Sequence, residues 1–269
     1  MFEAKPVLDG PTLDDYEEFA QLSNTVRDFR QEAAVLAPKL AGRTVWMVNS
    51  TEQGGGVAEM MPKMLDLFRD AGVVCRWAVM STEETKFFDL TKRIHNLIHG
   101  HGEPEFGPED REVYEAVNRA NADAMRSMLK PDDILVIHDP QPAAMGHMLK
   151  EELGLPTIWR CHIGLDEKLP QTSAAWKFLQ PYLESYDHSV FSLAEYIPDY
   201  RTGRSSLIHP AIDPFSHKNR DLSPHKLTGV LCNAGLKREL EPVLTPPFER
   251  LAERLTPEGV FSPSIDDTG

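Results

Sequence analysis

The chain has 269 residues, 41% of them hydrophobic, which suffices for one good core and an appendage. Its 28 Lys and Arg stand against 42 Asp and Glu, and the resulting charge of −14 repels polyanions and excludes a dedicated nucleic-acid binder. No apolar run approaches the roughly 20 residues of a membrane span, the first residues (MFEAKPVLDGPTLDDYEEF) are acidic where a secretory leader is basic and then apolar, and Cys75, Cys161 and Cys232 show no disulfide or zinc spacing, so a cytoplasmic chain is expected.

Residues 12–40 carry apolar positions at helical spacing (Leu13, Tyr16, Phe19, Leu22, Val26, Phe29, Ala33, Leu36) and predict a helix that packs on the elements after it. Thr44 to Val48 is a compact β-type run, Gly54-Gly55-Gly56 is a turn signal, and 57–70 has the spacing of an amphipathic helix. A strand at Val73–Met80 comes next, then helices near 86–99 and 109–129 and a short buried strand at Ile134–Ile137. A helix at 142–152, a strand at 156–160, a helix at 172–185, a strand at 188–193 and a weaker one at 205–208 complete the pattern. Strands alternating with helices predict a mostly parallel sheet covered on both faces, a doubly wound, Rossmann-like α/β domain. The expected organisation is a helical extension over 1–42, the α/β domain over 43–215, and a helical segment and linker over 216–269. That last stretch is proline-punctuated, with two short helical stretches and no further strand run.

Three polar clusters fall at the carboxyl ends of predicted strands, the edge where open α/β sheets bind ligands. The first, Asn49 to Glu59, holds Gly54, Gly55, Gly56 and Val57. Glycines let the backbone turn sharply and approach a ligand, and the following helix N-terminus offers free N–H groups and a positive dipole end, together a phosphate cradle. The other reading is a plain glycine-rich turn. Neither G-x-G-x-x-G nor G-x-x-x-x-G-K-[ST] is present, which disfavours an ordinary nicotinamide or ATP site. The second cluster is His138-Asp139-Pro140-Gln141-Pro142, where a carboxylate and a carboxamide in a stiff loop suit sugar hydroxyls. Alternatively Asp139 caps the next helix and His138 packs beneath the loop. The third is Trp159-Arg160-Cys161-His162, where His162 can bond a hydroxyl or share a proton and Arg160 can offset an anion. His95, His99 and His101 lack the H-E-x-x-H pattern, so no metal site is expected.

The segments VNSTEQGGGVAEM, FFDLTKRIHNLIHG, VNRAN, VIHDPQPAAM, WRCHI and HPAIDP, in order from about residue 43 to about residue 215, resemble the N-terminal domain of trehalose synthases of the glycosyltransferring type. These are kin of the retaining trehalose phosphorylases within family 4 of the two-domain GT-B glycosyltransferases. The resemblance implies the N-terminal half of a GT-B fold and retaining transfer of glucose from a nucleoside diphosphate glucose to glucose. It places Gly54, Gly55, Gly56 and Val57 beside the donor diphosphate, Asp139 and His162 at the reacting centre, and His138, Gln141 and Arg160 at the sugars. Neither cofactor nor metal is implied beyond the sugar nucleotide. In that family a second domain supplies the Arg, Lys and Glu-containing motif that hold the diphosphate and nucleotide. None of these is visible in 216–269, so the chain is expected to be a half-enzyme, inactive until that domain is supplied in cis or trans. An apolar docking seam is expected, which would also permit a homodimer. A trehalose phosphorylase and a truncated, non-catalytic sugar-binding module are the alternatives, and the nucleotide base is left open.

Overall fold

The computed structural model describes residues 3–5, 10–216, 219, 221–237, 252–257 and 259–263. The chain divides into two compact units, Met1–Pro210 and Ala211–Gly269.

The first unit opens with a short strand, β1 (Glu3–Lys5), then α1 (Leu13–Glu17), α2 (Ser23–Leu36) and a 3-10 turn at Ala37–Leu40. The single helix expected over 12–40 is thus broken. Thr12 and Asp15 form a capping box on α1, and the Leu13 amide donates to the Asp70 carboxylate at 2.7 Å, fastening this corner to the end of a later helix. Strand β1 was not expected, because three residues ahead of a proline are too short to display a period of two.

The sheet and its helices come next, as β2 (Val45–Asn49), α3 (Gly56–Asp70), β3 (Cys75–Val79), α4 (Thr85–Ile98), α5 (Pro108–Arg126), β4 (Ile134–His138), α6 (Ala143–Leu153), β5 (Thr157–Arg160), α7 (Pro170–Leu183), β6 (His188–Phe191) and β7 (Ser205–Leu207). Strand order is β1-β3-β2-β4-β5-β6-β7, with β2 to β7 parallel and β1 antiparallel on the β3 edge. Alternate residues of each strand serve different layers. Trp46, Val48, Ala78, Leu135, Ile137 and Trp159 join a large core with α4 to α7, including Phe87, Ile94, Tyr114, Met145 and Leu179. Val45, Met47, Cys75, Trp77, Val79 and Val136 face the other way, against Met61 and Leu65 of α3 and the 3-10 turn. The architecture is therefore a doubly wound α/β sheet covered on both faces, as the alternation of elements implied.

In the second unit, α8 (Pro224–Asn233) starts behind a Ser223 cap, and a hairpin of β8 (Glu253–Leu255) and β9 (Phe261–Pro263) pairs Leu255 with Phe261. No strand was expected here. The paired segments are only three residues each and almost wholly exposed, so neither burial nor alternation marks them in the sequence. The other helical stretch expected in this region lies outside the described residues.

Candidate active site

Chain order reverses between β2 and β4. From β2 the chain first builds β3 on one side and then crosses to build β4, β5, β6 and β7 on the other. At such a switch point the loops at the carboxyl ends of the two strands splay apart and leave a crevice. The glycine loop leaves β2 at this point and the His138 to Pro142 loop leaves β4, with the Cys161-His162 segment alongside at the end of β5.

The glycine loop is tied down at its root. Asn49, 3% exposed, accepts from the Trp77 indole at 2.8 Å and donates to the Thr51 carbonyl at 2.7 Å. Beyond that anchor Gly54 and Gly55 take φ of 75° and 88°, a region costly for residues with a Cβ. Gly55 is the N-cap of α3 and brings no side chain to its first-turn donors, so the helix end stays uncapped. A Cβ on Gly54, Gly55 or Gly56 would meet nothing within 4 Å. The glycines therefore do not relieve internal crowding; they keep an exposed helix N-terminus, with Val57 in its first turn, bare enough for an anion to reach.

The β4 loop turns on Asp139, whose φ of 64° makes it the one non-glycine residue with positive φ among those described. A strained left-handed residue persists only when its surroundings over-determine it. Here the Asp139 amide donates to the Arg160 carbonyl, the Trp159 indole donates to the Asp139 carbonyl, and the His162 amide donates to Asp139 Oδ1, each at 2.9 Å. Buried polar groups hold the loop from beneath. Tyr114 donates to the Pro140 carbonyl, Asn118 donates to the Gln141 carbonyl at 3.1 Å and accepts from the Met145 amide at 2.9 Å, and Tyr186 donates to the Ala143 carbonyl at 2.7 Å. Gly146 makes room for that tyrosine, since a Cβ there would lie 2.0 Å from its hydroxyl. The N-cap of α6 is Pro142 and no side chain caps it, so Asp139 is not a helix cap.

Two neutral histidines adjoin this carboxylate. His138 is 2% exposed; its Nδ1 lies 3.0 Å from His162 Nε2, and the rings are nearly parallel with centroids 5.3 Å apart. Burial first, then the neighbouring His162 ring and the Arg160 guanidinium, push the His138 pKa down to about 3; burial and Arg160 push that of His162 to about 4. Asp139 moves the opposite way. Burial raises its carboxyl to about 6, against the opposing pull of the His162 amide, Arg160 and His99. Arg160 donates through Nη2 to the Ile208 carbonyl at 2.8 Å and to Ser192 at 3.3 Å, whereas its Nη1 is buried without a partner among the described residues, as is Gln141 Oε1. Orphaned buried polar atoms are uncommon, and a donor and an acceptor on adjacent loops suit a polyhydroxylated ligand that offers both.

Asp139, Gln141, Arg160 and His162 are thus gathered on neighbouring loops, with the glycine loop across the switch point. Of the two places expected for His138, at the sugars or packed beneath the loop, the structure shows the second: it is buried with both ring nitrogens engaged, Nδ1 by His162 and Nε2 at 3.5 Å from the Met47 sulfur. Of the supporting residues, Trp159 lies in the third cluster, whereas Met47, Tyr114, Asn118 and Tyr186 carry no local signal except in VNRAN, where an asparagine sits inside an apolar helix face. His99 carries no metal-ligand pattern in the sequence. It bonds back to the His95 carbonyl at 2.9 Å and acts electrostatically on Asp139, which puts the end of α4 near the site. Among the described residues no group of three or more His, Cys, Asp or Glu is placed to hold a metal ion, and no helix is long and apolar enough to cross a membrane.

Known proteins resemble this chain in sequence and in fold. The family described as "Trehalose synthase, N-terminal domain" matches residues 47–198. A trehalose synthase of Pyrococcus horikoshii is 34% identical over 247 residues, covering 91% of this chain and 56% of that protein. One of Rubrobacter xylanophilus is 39% identical over 216 residues, covering 79% and 50%. The chain thus spans about half the length of the curated relatives it matches. A solved trehalose-6-phosphate synthase, OtsA, superposes with a TM-score of 0.52 at 17% identity over 72% of this chain and 56% of that one, a likeness of fold. With more than half of its residues inside the family match, the chain belongs to the trehalose synthase N-terminal domain family.

Proposed function

We propose that this chain forms the acceptor-side half of a retaining glucosyltransferase that makes trehalose, reversibly, from a nucleoside diphosphate glucose and glucose. The observation that carries the reading is the β2/β4 switch point itself, where an uncapped helix N-terminus follows β2 and Asp139, Gln141, Arg160 and His162 gather at the carboxyl ends of β4 and β5. The helix end suits a diphosphate and the gathered side chains suit sugar hydroxyls. In this proposal the glycine loop orients the leaving diphosphate, Asp139 accepts from a sugar hydroxyl, and Gln141 and Arg160 find in the sugars the partners they lack. The acceptor proton passes to a departing phosphate oxygen on the same face, so that retention needs no enzymic nucleophile and no metal. Catalysis then rests on positioning and on stabilising the leaving group.

A helix terminus contributes only about 0.3–2 kcal/mol toward an anion, too little to hold a diphosphate by itself. The proposal therefore assigns the cations and the nucleotide pocket to a second domain, and expects residues 1–269 alone to be inactive. The buried free thiols Cys75 and Cys161 suit a reducing, cytoplasmic setting. The test is product analysis with the two-domain protein. Trehalose appearing from glucose and a nucleoside diphosphate glucose, with the α configuration kept at the donor carbon, is expected. Conversion only of trehalose plus phosphate would replace the synthase reading with a phosphorylase. Robust nucleoside diphosphate release by residues 1–269 alone would refute the division of labour.

A further inference from the structure

Three side chains lie in a row across the switch point, Met47 and His138 buried and His162 partly exposed. The Met47 sulfur on β2 sits 3.5 Å from His138 Nε2 on β4, and His138 Nδ1 sits 3.0 Å from His162 Nε2 beyond β5. Between two neutral imidazoles one nitrogen donates and the other accepts, so the row admits two proton arrangements. In one, His138 donates to His162 and turns a bare Nε2 toward the thioether. Sulfur has no hydrogen to give, and two lone pairs then face each other in a site that is 2% exposed. In the other, His138 carries its proton on Nε2, directs it at the sulfur lone pair, and accepts from His162 through Nδ1. Only this second arrangement leaves every contact with one donor and one acceptor.

We infer that His138, backed by Met47, is a positioning residue that fixes His162 in its Nε2–H form, leaving His162 Nδ1 an unprotonated acceptor that selects a hydroxyl able to donate. His162 is partly exposed, and its Nδ1 has no partner among the described residues. The depressed basicity of both rings, with burial as its largest cause, keeps each imidazole neutral, as the row requires; a second proton on His138 would set its Nδ1–H against the His162 Nε2–H. A histidine with the opposite tautomer would donate through Nδ1–H to an ether oxygen, a fluorine or a hydroxyl oxygen alike. The row converts that indifferent group into a filter for O–H. The second half of the inference, that the hydroxyl belongs to a sugar, rests on the proposed function.

The two halves are tested separately. A long-range 1H–15N spectrum of the 15N-histidine-labelled chain, assigned with H138F and H162A, reads each tautomer without substrate. Both rings are expected in the Nε2–H form, and an Nδ1–H form of either would overturn the inference. In the two-domain enzyme, a panel of monodeoxy and monodeoxyfluoro glucoses then reads the filter. At one ring position the deoxy and fluoro sugars should both lose at least tenfold in kcat/KM, since fluorine accepts but does not donate. In His138→Phe, whose His162 is free to change tautomer, the fluoro sugar should regain several-fold over the deoxy sugar, a split that plain loss of packing would not produce. If fluorine rescues every position in the unsubstituted enzyme, His162 donates and the inference falls. If no analogue loses activity while the tautomers are as stated, the sugar does not meet His162, and the proposed placement of the substrate fails instead.

Discussion

Replacing Asp139 with Asn should stabilise the protein at neutral pH. The carboxyl is raised from an ordinary 3.8 to about 6, with burial as the largest cause. Because the folded pKa lies above the unfolded one, the folded state binds the extra proton between these values, and stability is lost as pH rises from about 4 to about 6. Above pH 6 the whole cost is present: roughly two units at about 1.4 kcal/mol each, or about 3 kcal/mol. Asn removes the ionisation and keeps what the fold requires, since it tolerates the left-handed φ of 64° as readily as Asp and its Oδ1 still accepts from the His162 amide. Urea unfolding at pH 4, 6 and 7.5 measures the difference. Tryptophan fluorescence is a suitable probe because Trp46, Trp77, Trp159 and Trp176 all lie in the first unit. Asp139→Asn is expected to gain about 2–3 kcal/mol at pH 7.5 and almost nothing at pH 4, while turnover of the two-domain enzyme falls. A variant that is destabilised at pH 7.5, or whose advantage does not change with pH, would show that the carboxylate is not held charged against its own desolvation.

Gly56 begins α3 without positive φ and with open space around it, so Gly56→Ala should leave stability unchanged or better by up to about 1 kcal/mol. In the two-domain enzyme the same methyl should raise KM for the sugar nucleotide at least tenfold, and equal KM values would remove the anion role of the loop. Asn118→Ala leaves the Gln141 carbonyl and the Met145 amide unpaired under the β4 loop and should cost about 2–4 kcal/mol in urea unfolding. A loss below about 0.5 kcal/mol would mean that the loop is held without it.

Most of the fold was legible because strands buried on both faces are continuous apolar runs and because the helices obey their period. Val45 to Val48 and Ile134 to Ile137 could be little else, and the strand expected at Val73–Met80 needed only trimming to Cys75–Val79. The hidden elements obey no period. Strand β1 and the β8–β9 hairpin pair through backbone groups that every residue carries. In the site, loop positions were readable, because glycine and proline punctuation after a strand places a loop at the carboxyl edge. The long-range partners were not. That Asn118 reaches Gln141 across 23 positions, or that Met47 meets His138 across 91, comes from the crossing of β2, α5 and β4, which local sequence does not encode. His138 illustrates the cost: the sequence places it one residue before Asp139, but alternation along β4 decides whether it faces ligand or core, and there it turns inward.

Three aspartates at strand ends separate the two jobs a carboxylate can do in this sheet. Asp133, just before β4, accepts from the Thr44 amide at 2.9 Å, the Lys130 amide at 3.0 Å and the Trp46 indole at 3.0 Å. Asp187, just before β6, accepts from the Thr157 amide at 2.8 Å and from Lys150 at 2.6 Å. Burial pushes both pKa values up, but these donors outweigh it and each carboxyl ends below the ordinary range. Ionised at neutral pH and fully served by donors, they staple the amino edge and favour folding. Asp139 sits at the carboxyl edge with one backbone donor, a strained φ and a raised pKa, so it opposes folding. Nothing in the chemistry of aspartate distinguishes the three. The difference is how many N–H groups the fold aims at each, and a fold that satisfies two strand-end carboxylates and leaves the third short, beside an orphaned Gln141 Oε1 and Arg160 Nη1, has kept hydrogen-bonding capacity in reserve at the carboxyl edge. That reserve is what a ligand rich in hydroxyls would use.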